Sequence, residues 1–191
     1  MEIGHFSFKN PLILAPMAGI TDAPFRRLCK TLGADYCVSE MVTSKVSLWS
    51  SEKTDSRLSH FDGEFPLIVQ IVGGDAKLMS EAAKLATEKG ANIIDINMGC
   101  PAKKVFKKDA GSALLANPKL VESIVSKVVK ATTCPVTVKM RTGIDLEHQN
   151  ALYIADIIAS EGASAITIHG RSRACRYEVP ASYAIIKEMK K

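Results

Sequence analysis

Six short runs of apolar residues, rich in valine and isoleucine, are spaced along the chain with amphipathic stretches between them. The runs cover residues 12–18, 36–42, 67–73, 93–98, 136–141 and 165–170. Runs of this length and composition predict β-strands, and the stretches between them are long enough for helices. Because the strands are apolar on both faces and separated by helices, the pattern predicts a parallel sheet that helices cover.

The stretches between the runs carry helix start and stop signals. Asp75 can cap a helix that ends at Gly90, because aspartate accepts unpaired N–H groups of a first turn and glycine suits the backbone just past a last turn. Pro24 and Pro118 suit the first turns of two others, since proline lacks the N–H that a first turn leaves unpaired. The predicted helices cover about residues 24–33, 75–90, 117–132 and 145–162.

Two architectures satisfy this pattern: an open doubly wound sheet and a (β/α)8 barrel. No G-x-G-x-x-G follows the first strand, which weakens the dinucleotide-binding form of the open sheet. Polar residues instead occur near the C-terminal ends of the strands, two positions apart within a strand, so each pair shares a face. These residues are Gln70, Asp95, Asn97, Lys139, Arg141, Thr167 and His169. Because inward-pointing side chains would meet at that end of a barrel, the sequence predicts an α/β fold of the TIM-barrel class.

The predicted barrel is short, because a complete one takes roughly 250 residues and this chain has 191. Six strands are recognisable, so we expect residues 1–191 to form a partial barrel that lacks the last two strand–helix units. Such a sheet has two unpaired edges, which favour pairing with another chain. The isolated chain is therefore expected to self-associate.

Composition narrows the class of protein. Hydrophobic residues make up 47% of the chain and charged residues 24%, as in a globular domain, and no apolar run approaches the length of a membrane span. The five cysteines form no C-x-x-C pair, and their odd number favours a reducing compartment, so we predict a cytoplasmic protein. The four histidines lack the spacing of a metal site, and we expect no bound metal.

Positive charge is concentrated in three segments that each follow an apolar run. Segments 97–110, 139–145 and 169–176 carry +3, +1 and +3, whereas the whole chain carries +5, so the rest of the chain is slightly acidic. If the three segments meet in space, they form an electrostatic surface for phosphate or nucleic acid. For each segment taken alone, a solvated basic loop is the alternative.

Four residues at strand ends are candidates for chemistry, and each has a structural alternative. Cys100 follows a buried strand beside a basic loop and is either a reactive thiol or a small buried hydrophobe. Lys139 lies within a strand, where its charge either faces a ligand or pairs with Asp95. His169 is a ligand-binding or a core histidine, and the Gln70 amide bonds a planar heterocycle or the backbone. A cation, an amide and an imidazole around a barrel mouth suit an electron-rich cofactor such as a flavin.

Six motifs, in order and in register, resemble the tRNA-dihydrouridine synthase family over nearly the whole chain. They are residues 15–22 (APMAGITD), 38–41 (VSEM), 69–71 (VQI), 95–104 (DINMGCPAKK), 138–143 (VKMRTG) and 167–173 (TIHGRSR). The fourth motif has the bacterial DusB-type form. One such motif is a weak signal, whereas six in register are specific.

The resemblance implies a flavin-dependent enzyme that reduces uridine in tRNA to 5,6-dihydrouridine with FMN as cofactor and NADPH as reductant. Cys100 is implied as the proton donor, which suits a thiol because an ordinary cysteine pKa of about 8.5 leaves it protonated at neutral pH. The implied flavin-binding residues are Pro16, Met17, Ala18, Gln70, Lys139 and His169. The implied residues for the uracil are Asn97 and Arg141, and those for tRNA phosphates are Lys103, Lys104, Arg171 and Arg173.

The resemblance also implies two further strands and a helical tRNA-binding domain after residue 191. We therefore expect that residues 1–191 alone neither bind FMN stoichiometrically nor reduce tRNA. Two other functions stay open: a non-catalytic remnant of such an enzyme, and another FMN-dependent barrel oxidoreductase that acts on a small molecule. The basic segments and the motif from Asn97 to Pro101 disfavour the second of these.

Overall fold

The computed structural model describes residues 1–175 and 177–190, apart from the side chain of Lys53, so Arg176 of the third basic segment lies outside the described residues. The strands are β1 (Glu2–Ile3), β2 (Phe6–Ser7), β3 (Ile13–Leu14), β4 (Tyr36–Cys37), β5 (Val42–Thr43), β6 (Ile68–Val72), β7 (Ile93–Met98), β8 (Val136–Arg141) and β9 (Ala165–His169). The helices are α1 (Ala23–Thr31), α2 (Glu52–Leu58), α3 (Ala76–Glu88), α4 (Lys103–Phe106), α5 (Pro118–Ala131), α6 (Ala151–Ser160) and α7 (Tyr183–Met189). Short 3₁₀ helices occupy Val46–Leu48 and Gly111–Ala116.

The strands pair in the order of a barrel wall. β5, β6, β7, β8 and β9 form one parallel sheet in that order, and β3 pairs in parallel with β4. A bridge between Val38 and Ile68 continues β4 toward β6. All six predicted strands are therefore present within the described part of the chain, and their sequence order is also their spatial order. This parallel strand–helix arrangement is the predicted TIM-barrel class.

Two strands are shorter than predicted, and their hydrogen bonds give the reason. Only Ile13–Leu14 of the first run is a strand, because Met17 O accepts the N–H of Thr21 and turns the chain. The second strand is interrupted between β4 and β5, because the Ser39 hydroxyl accepts the N–H of Gln70 at 3.1 Å in place of a backbone carbonyl. Both irregular segments lie next to the polar end of the barrel.

The helices at 24–33, 75–90 and 117–132 form as predicted, and Asp22, Asp75 and Asn117 cap them through their side chains. The helix predicted from residue 145 instead begins at Ala151. Asp145 Oδ1 accepts the N–H groups of two residues that follow it closely, so the chain forms a loop before this helix begins.

Two apolar clusters support the polar end of the barrel. The larger one fills the space between the sheet and helices α3, α5 and α6. The smaller one closes the N-terminal end of the strands, where Ile3 and Phe6 of the β1–β2 hairpin cluster with Ile68 and Ile93. The sequence pattern did not predict this hairpin. Above this apolar base the inner face becomes polar, with one layer of Gln70, Asp95 and Thr137 in register and a second of Asn97, Lys139 and Thr167.

Candidate active site

A cavity of about 330 Å³ opens at the C-terminal ends of the parallel strands. Five strands contribute predicted site residues to it, either from their last positions or from the loops that follow. These residues are Pro16, Met17, Ala18, Gln70, Asn97, Cys100, Lys139, Arg141 and His169. The structure thus brings nine predicted site residues to one place, while the role of each stays a prediction.

Gln70 and Asn97 are held by a chain of hydrogen bonds. Asn97 Nδ2 donates to Gln70 Oε1 at 2.8 Å, and Gln70 Nε2 donates to Asp95 Oδ2 at 2.6 Å. Asn97 Oδ1 accepts the backbone N–H of Cys100 at 2.9 Å and that of Gly99 at 3.2 Å. Because each amide uses its oxygen on one neighbour and its nitrogen on another, the orientation of both side chains is defined.

Asp95 lies beneath the cavity with only 3% of its surface exposed. Its second carboxylate oxygen, Oδ1, accepts the hydroxyl of Thr137 at 2.6 Å. Burial raises the pKa of Asp95 to about 6, and the hydrogen bonds from Thr137 and Gln70 and the charge of Lys139 limit that rise. The carboxylate is therefore mostly ionised at neutral pH. The sequence alone indicates Asp95 as one of the polar residues at the strand ends and as a partner for Lys139, but not as a partner of Gln70 and Thr137.

Lys139 forms no ion pair with the described residues, because none of their carboxylate oxygens lies within 4.0 Å of its nitrogen. Burial lowers its pKa; the nearby charge of Asp95 opposes this effect and that of Arg141 adds to it. The alternative of a Lys139–Asp95 ion pair is therefore not realised, and the two Asp95 oxygens accept hydrogen bonds from Gln70 and Thr137. A partly buried cation that has no counter-ion among the described residues is typical of a cavity wall that binds an electron-rich or anionic ligand.

His169 presents an uncharged imidazole to the same cavity. Burial lowers its pKa to about 4, and the positive charges of Arg141, Lys139 and Arg171 add to the effect. His169 Nε2 lies 3.3 Å from Arg171 Nη1. Because a guanidinium can only donate, Nε2 is the acceptor and the single ring proton resides on Nδ1. The histidine is thus a neutral hydrogen-bonding group at neutral pH.

The loop that carries Cys100 is fixed on several sides. The Ser112 hydroxyl donates to Cys100 O at 2.8 Å, in addition to the bond between the Cys100 N–H and Asn97. Gly111 packs against the same residue, and a Cβ atom at position 111 would lie 3.1 Å from Cys100 Cβ and 3.0 Å from its carbonyl oxygen. Gly111 also has a φ of +62°, which favours glycine. Local sequence therefore holds the thiol-bearing backbone in one position.

Arg141 is predicted to hold the uracil, and the structure gives it a second task. Its Nε donates to Gly99 O at 2.8 Å and its Nη1 to Ser172 O at 3.1 Å, with 3% of the residue exposed. The guanidinium therefore ties the loop after β7 to the loop after β9. Burial lowers the pKa of Arg141, which reflects the incomplete compensation of its charge.

The turn that follows β3 is stabilised from within and from the second strand. Thr21 Oγ1 accepts the N–H of Met17 at 3.1 Å, and Glu40 Oε2 accepts the N–H of Gly19 at 2.7 Å. Arg57 lies 3.4 Å from the same Glu40 oxygen. The sequence did not reveal this role of Glu40, although the residue belongs to the second motif. Five further residues that line the cavity were not predicted as site residues, namely Ile20, Met41, Gly99, Pro101 and Tyr177.

The four basic residues predicted to contact phosphates are divided among three places. Lys103 and Arg173 line a cavity of about 640 Å³ that adjoins the first one through Arg141. Lys104 lines a separate cavity of about 460 Å³ on the other side of the loop. Arg171 lies at the rim, where its Nε donates to a backbone carbonyl at 2.6 Å and its guanidinium lies 5.4 Å from the ring centre of Tyr177. Tyr177 is 76% exposed, and nothing in its sequence context indicated a place at the cavity.

The described residues show neither a membrane span nor a metal site. No described helix is both long and apolar enough to cross a bilayer. Within residues 1–175 and 177–190, no group of three or more histidine, cysteine, aspartate or glutamate side chains is arranged to hold a metal ion.

The fold and the cavity together define a protein of the (β/α)8-barrel class with a polar, basic pocket at the C-terminal ends of its strands. The model of the family described as "Dihydrouridine synthase (Dus)" matches residues 13–191. The chain therefore belongs to the dihydrouridine synthase family, as the resemblance of its six motifs predicted.

Individual relatives agree with this assignment. The chain is 52% identical over 190 residues to the tRNA-dihydrouridine synthase B of Pseudomonas syringae pv. tomato and 51% identical over 190 residues to that of Escherichia coli K12. Both matches cover 100% of this chain, but the chain spans only 56% and 59% of the length of these two relatives.

A solved structure supports the fold alone. The crystal structure of a phosphonopyruvate hydrolase complexed with oxalate and Mg²⁺ superposes with a TM-score of 0.60 at 16% sequence identity. The match covers 94% of this chain and 63% of that one. At this sequence identity the similarity supports the barrel architecture and gives no information about the chemistry of this chain.

Proposed function

We propose that this chain supplies the catalytic barrel of a flavin-dependent tRNA-dihydrouridine synthase, which reduces the C5–C6 double bond of uridine in tRNA. The proposal includes FMN as the flavin, NADPH as its reductant and the cytoplasm as its location. The observation that supports it most strongly is the cavity at which Lys139, Asn97 and Cys100 meet, in a chain of the dihydrouridine synthase family.

The residues around the cavity fit a flavin. Lys139 is a partly buried cation without a counter-ion among the described residues, Gln70 offers an amide, and His169 offers a neutral imidazole. These groups would hold the electron-rich edge of an isoalloxazine ring, and the turn that contains Met17 and Ala18 would contact its surface. A bound and reduced FMN would supply the hydride that uracil C6 accepts.

Cys100 would supply the proton that completes the reduction. Asn97 and Arg141 would bind the polar edge of the uracil and orient it in the cavity. When C6 gains the hydride, the electron pair of the C5–C6 double bond moves to C5, and C5 takes the proton from the Cys100 thiol. The thiolate then regains its proton from water. The hydrogen bonds of the Cys100 backbone to Asn97 and Ser112 would keep the donor in place.

The basic residues would bind the tRNA around this cavity. A uridine must leave the stacked tRNA fold before it can enter a barrel mouth. Lys103 and Arg173 line the adjoining cavity, whose described wall residues include no acidic side chain. Arg171 lies at the rim of the first cavity, and Lys104 lines the separate cavity on the other side of the loop. Such residues would contact phosphates, and phosphate contacts fix the position of the RNA without reading its sequence.

Flavin binding tests the proposal. The fluorescence of FMN is titrated with the chain fused to the remaining part of the Pseudomonas syringae relative, as the wild type, as Lys139→Met and as Lys84→Met, a matched change at an exposed lysine of α3. We expect Lys139→Met to weaken FMN binding about tenfold or more, because a hydrogen bond to a charged group contributes roughly 1.5–3 kcal/mol. Lys84→Met should leave the affinity unchanged. Equal FMN affinities of all three proteins would contradict the proposed flavin site.

Uridine reduction is tested separately. The chain is fused to the remaining part of the Pseudomonas syringae relative, incubated with FMN, NADPH and unmodified tRNA, and the RNA is digested for mass spectrometry. The expected product is a uridine that has gained two hydrogen atoms. A fusion that binds FMN but reduces only small molecules would support the other barrel oxidoreductases, and one that binds neither FMN nor tRNA would support a non-catalytic remnant.

A further inference from the structure

One buried carboxylate next to the proposed flavin site has no part in the function proposed above. Asp95 lies in the polar layer below the cavity and does not line it, but it borders the barrel interior together with Thr137 and Lys139. We propose that Asp95 is a positioning residue, which fixes the orientation of the Gln70 and Asn97 amides and, through them, the loop that carries Cys100. The proposal deepens the function proposed above and rests on it for its consequence in catalysis.

The hydrogen bonds from the Cys100 loop to Asp95 run in one direction. The backbone N–H of Cys100 donates to Asn97 Oδ1, Asn97 Nδ2 donates to Gln70 Oε1, and Gln70 Nε2 donates to Asp95 Oδ2. These three hydrogen bonds are called the relay below, although no proton is transferred along them. At one end of the relay are backbone N–H groups, which can only donate. At the other end stands an ionised carboxylate, which can only accept. Both ends therefore require the same orientation of the two amides.

The surroundings of Asp95 keep this end of the relay an acceptor. Lys139 on β8 is the positively charged residue that acts on the pKa of Asp95. Tyr36 on β4 lies near Asp95 as a neutral phenol, because burial raises the pKa of Tyr36 to about 12. The rise in the pKa of Asp95 to about 6 still leaves the carboxylate mostly ionised at neutral pH. Thr137 is the one partner that can adapt, because a hydroxyl can both donate and accept.

The relay has a consequence for the proposed ligands. Because Gln70 Nε2 is committed to Asp95 and Asn97 Oδ1 to the loop backbone, the remaining hydrogen-bonding positions of both amides are presented to the cavity in a fixed pattern. Without the carboxylate, Gln70 would leave a buried NH₂ unpaired or reverse its amide, and the reversal would set its NH₂ against that of Asn97. Either result would loosen the Cys100 loop.

A matched pair of substitutions tests the relay. In Asp95→Asn, the new oxygen can accept from Gln70 while its NH₂ donates to Thr137, so the relay should be rebuilt. In Asp95→Leu, a side chain of similar size offers no acceptor, and the relay should fail. The double variant Asp95→Asn/Thr137→Val removes the adaptable hydroxyl and provides a second test that does not depend on the folding of Asp95→Leu.

The first readout is the rate at which iodoacetamide alkylates Cys100, followed by peptide mass spectrometry. Cys134 is the internal reference, because it lies between α5 and β8 and its thiol donates to Ala91 O. We expect alkylation of Cys100 to rise about fivefold to thirtyfold in Asp95→Leu, because the loss of one or two hydrogen bonds of about 1 kcal/mol each frees the loop. Asp95→Asn and Thr137→Val should each have little effect, and their combination should exceed the sum of the single effects.

The second readout is the FMN dissociation constant, which should rise in Asp95→Leu and in the double variant but not in Asp95→Asn. Equal alkylation of Cys100 in all variants, or additive effects in the double variant, would overturn the positioning role. The FMN constants are measured on the fused protein, and failure of the wild-type fusion to bind FMN would count against the proposed function instead. In that case the alkylation rates would still decide whether the relay holds the loop.

Discussion

Asn97 Oδ1 accepts the backbone N–H of Cys100 at 2.9 Å, so the amide proposed to bind the uracil also holds the residue proposed to protonate it. Ser112 holds the same residue from the opposite side through its carbonyl oxygen. The distance between the uracil and the Cys100 thiol is therefore restrained by the hydrogen bonds of the Cys100 backbone, and not by the Cys100 side chain alone. Such restraint matters because small misplacements of reacting groups reduce rates strongly.

The packing of Gly111 against Cys100 gives a first prediction. Gly111→Ala should lower the free energy of unfolding by about 1–3 kcal/mol more than a Gly→Ala change whose only cost is a positive φ. The additional loss is expected because the alanine Cβ has to fit against the Cys100 backbone. Gly63→Ala is the matched control, since Gly63 also has a positive φ, of +84°, but has no atom within 4 Å of the position of a Cβ. Urea unfolding measures both. Equal losses of unfolding free energy would show that the Cys100 loop is free to move.

Lys139, which has no ion-pair partner among the described residues, gives a second prediction. Lys139→Met should leave the ligand-free protein at least as stable as the wild type at neutral pH, because burial of the cation outweighs its attraction to Asp95. A lysine with a lowered folded pKa binds fewer protons when folded than when unfolded, so its destabilising effect shrinks as pH rises toward 10.5. The advantage of Lys139→Met should shrink over the same range.

Thermal and urea unfolding at several pH values measure this effect, with Lys84→Met as the exposed control, for which changes of about 0.5 kcal/mol or less are expected. A clear loss of stability in Lys139→Met at neutral pH would indicate that Lys139 is held by a structural ion pair.

The imidazole of His169 gives a third prediction. An NMR titration of the ligand-free protein should place its pKa near 4, since burial and three neighbouring cations disfavour the charged ring. Folded His169 then binds fewer protons than the unfolded residue between pH 4 and 6.5, so its contribution to stability is lost as pH falls through that window. Arg171→Gln should raise this pKa, and the charge-matched change Arg27→Gln on α1 should not. A pKa at or above 6.5 in the wild type would contradict the cationic surroundings of this ring.

How much of this could be predicted from the sequence depends on the kind of interaction. The strands were predictable because runs such as Ile93–Met98 are short and mostly apolar, and the site was predictable because pairs of polar residues interrupt those runs two positions apart, Asp95 with Asn97 and Lys139 with Arg141. Both signals are local and periodic. The motif resemblance then supplied roles that periodicity alone could not.

The features that escaped prediction depend on contacts distant in sequence. The interruption of the second strand requires the Ser39 hydroxyl to meet the N–H of Gln70, which lies 31 residues away. The place of Asp95 in the relay depends on three strands in register, and its two acceptor bonds come from neighbouring strands rather than from Lys139. The Tyr177 side chain reaches the cavity from an irregular loop, for which no periodicity exists.

The basic residues give a fourth prediction, which concerns tRNA affinity. Lys103→Ala/Lys104→Ala in the fused protein should weaken tRNA binding and flatten its salt dependence by about 0.7–0.9 in log–log slope for each phosphate that the protein no longer neutralises. Lys89→Ala/Lys130→Ala is the control of equal charge, since both lysines lie at or near the C-terminal ends of helices, away from the cavity. Equal slopes for the two double variants would mean that the loop faces solvent and binds no RNA.

Cys100 is proposed to protonate a uracil that a flavin in this cavity reduces, and the two half-reactions of Cys100→Ala separate this role from a structural one. Stopped-flow absorbance of the fused protein follows flavin reduction by NADPH and, separately, reoxidation of the reduced flavin by tRNA. We predict an unchanged first step and a second step slowed about 100-fold or more, as for the loss of a general acid. Equal slowing of both steps, or of neither, would contradict the claim.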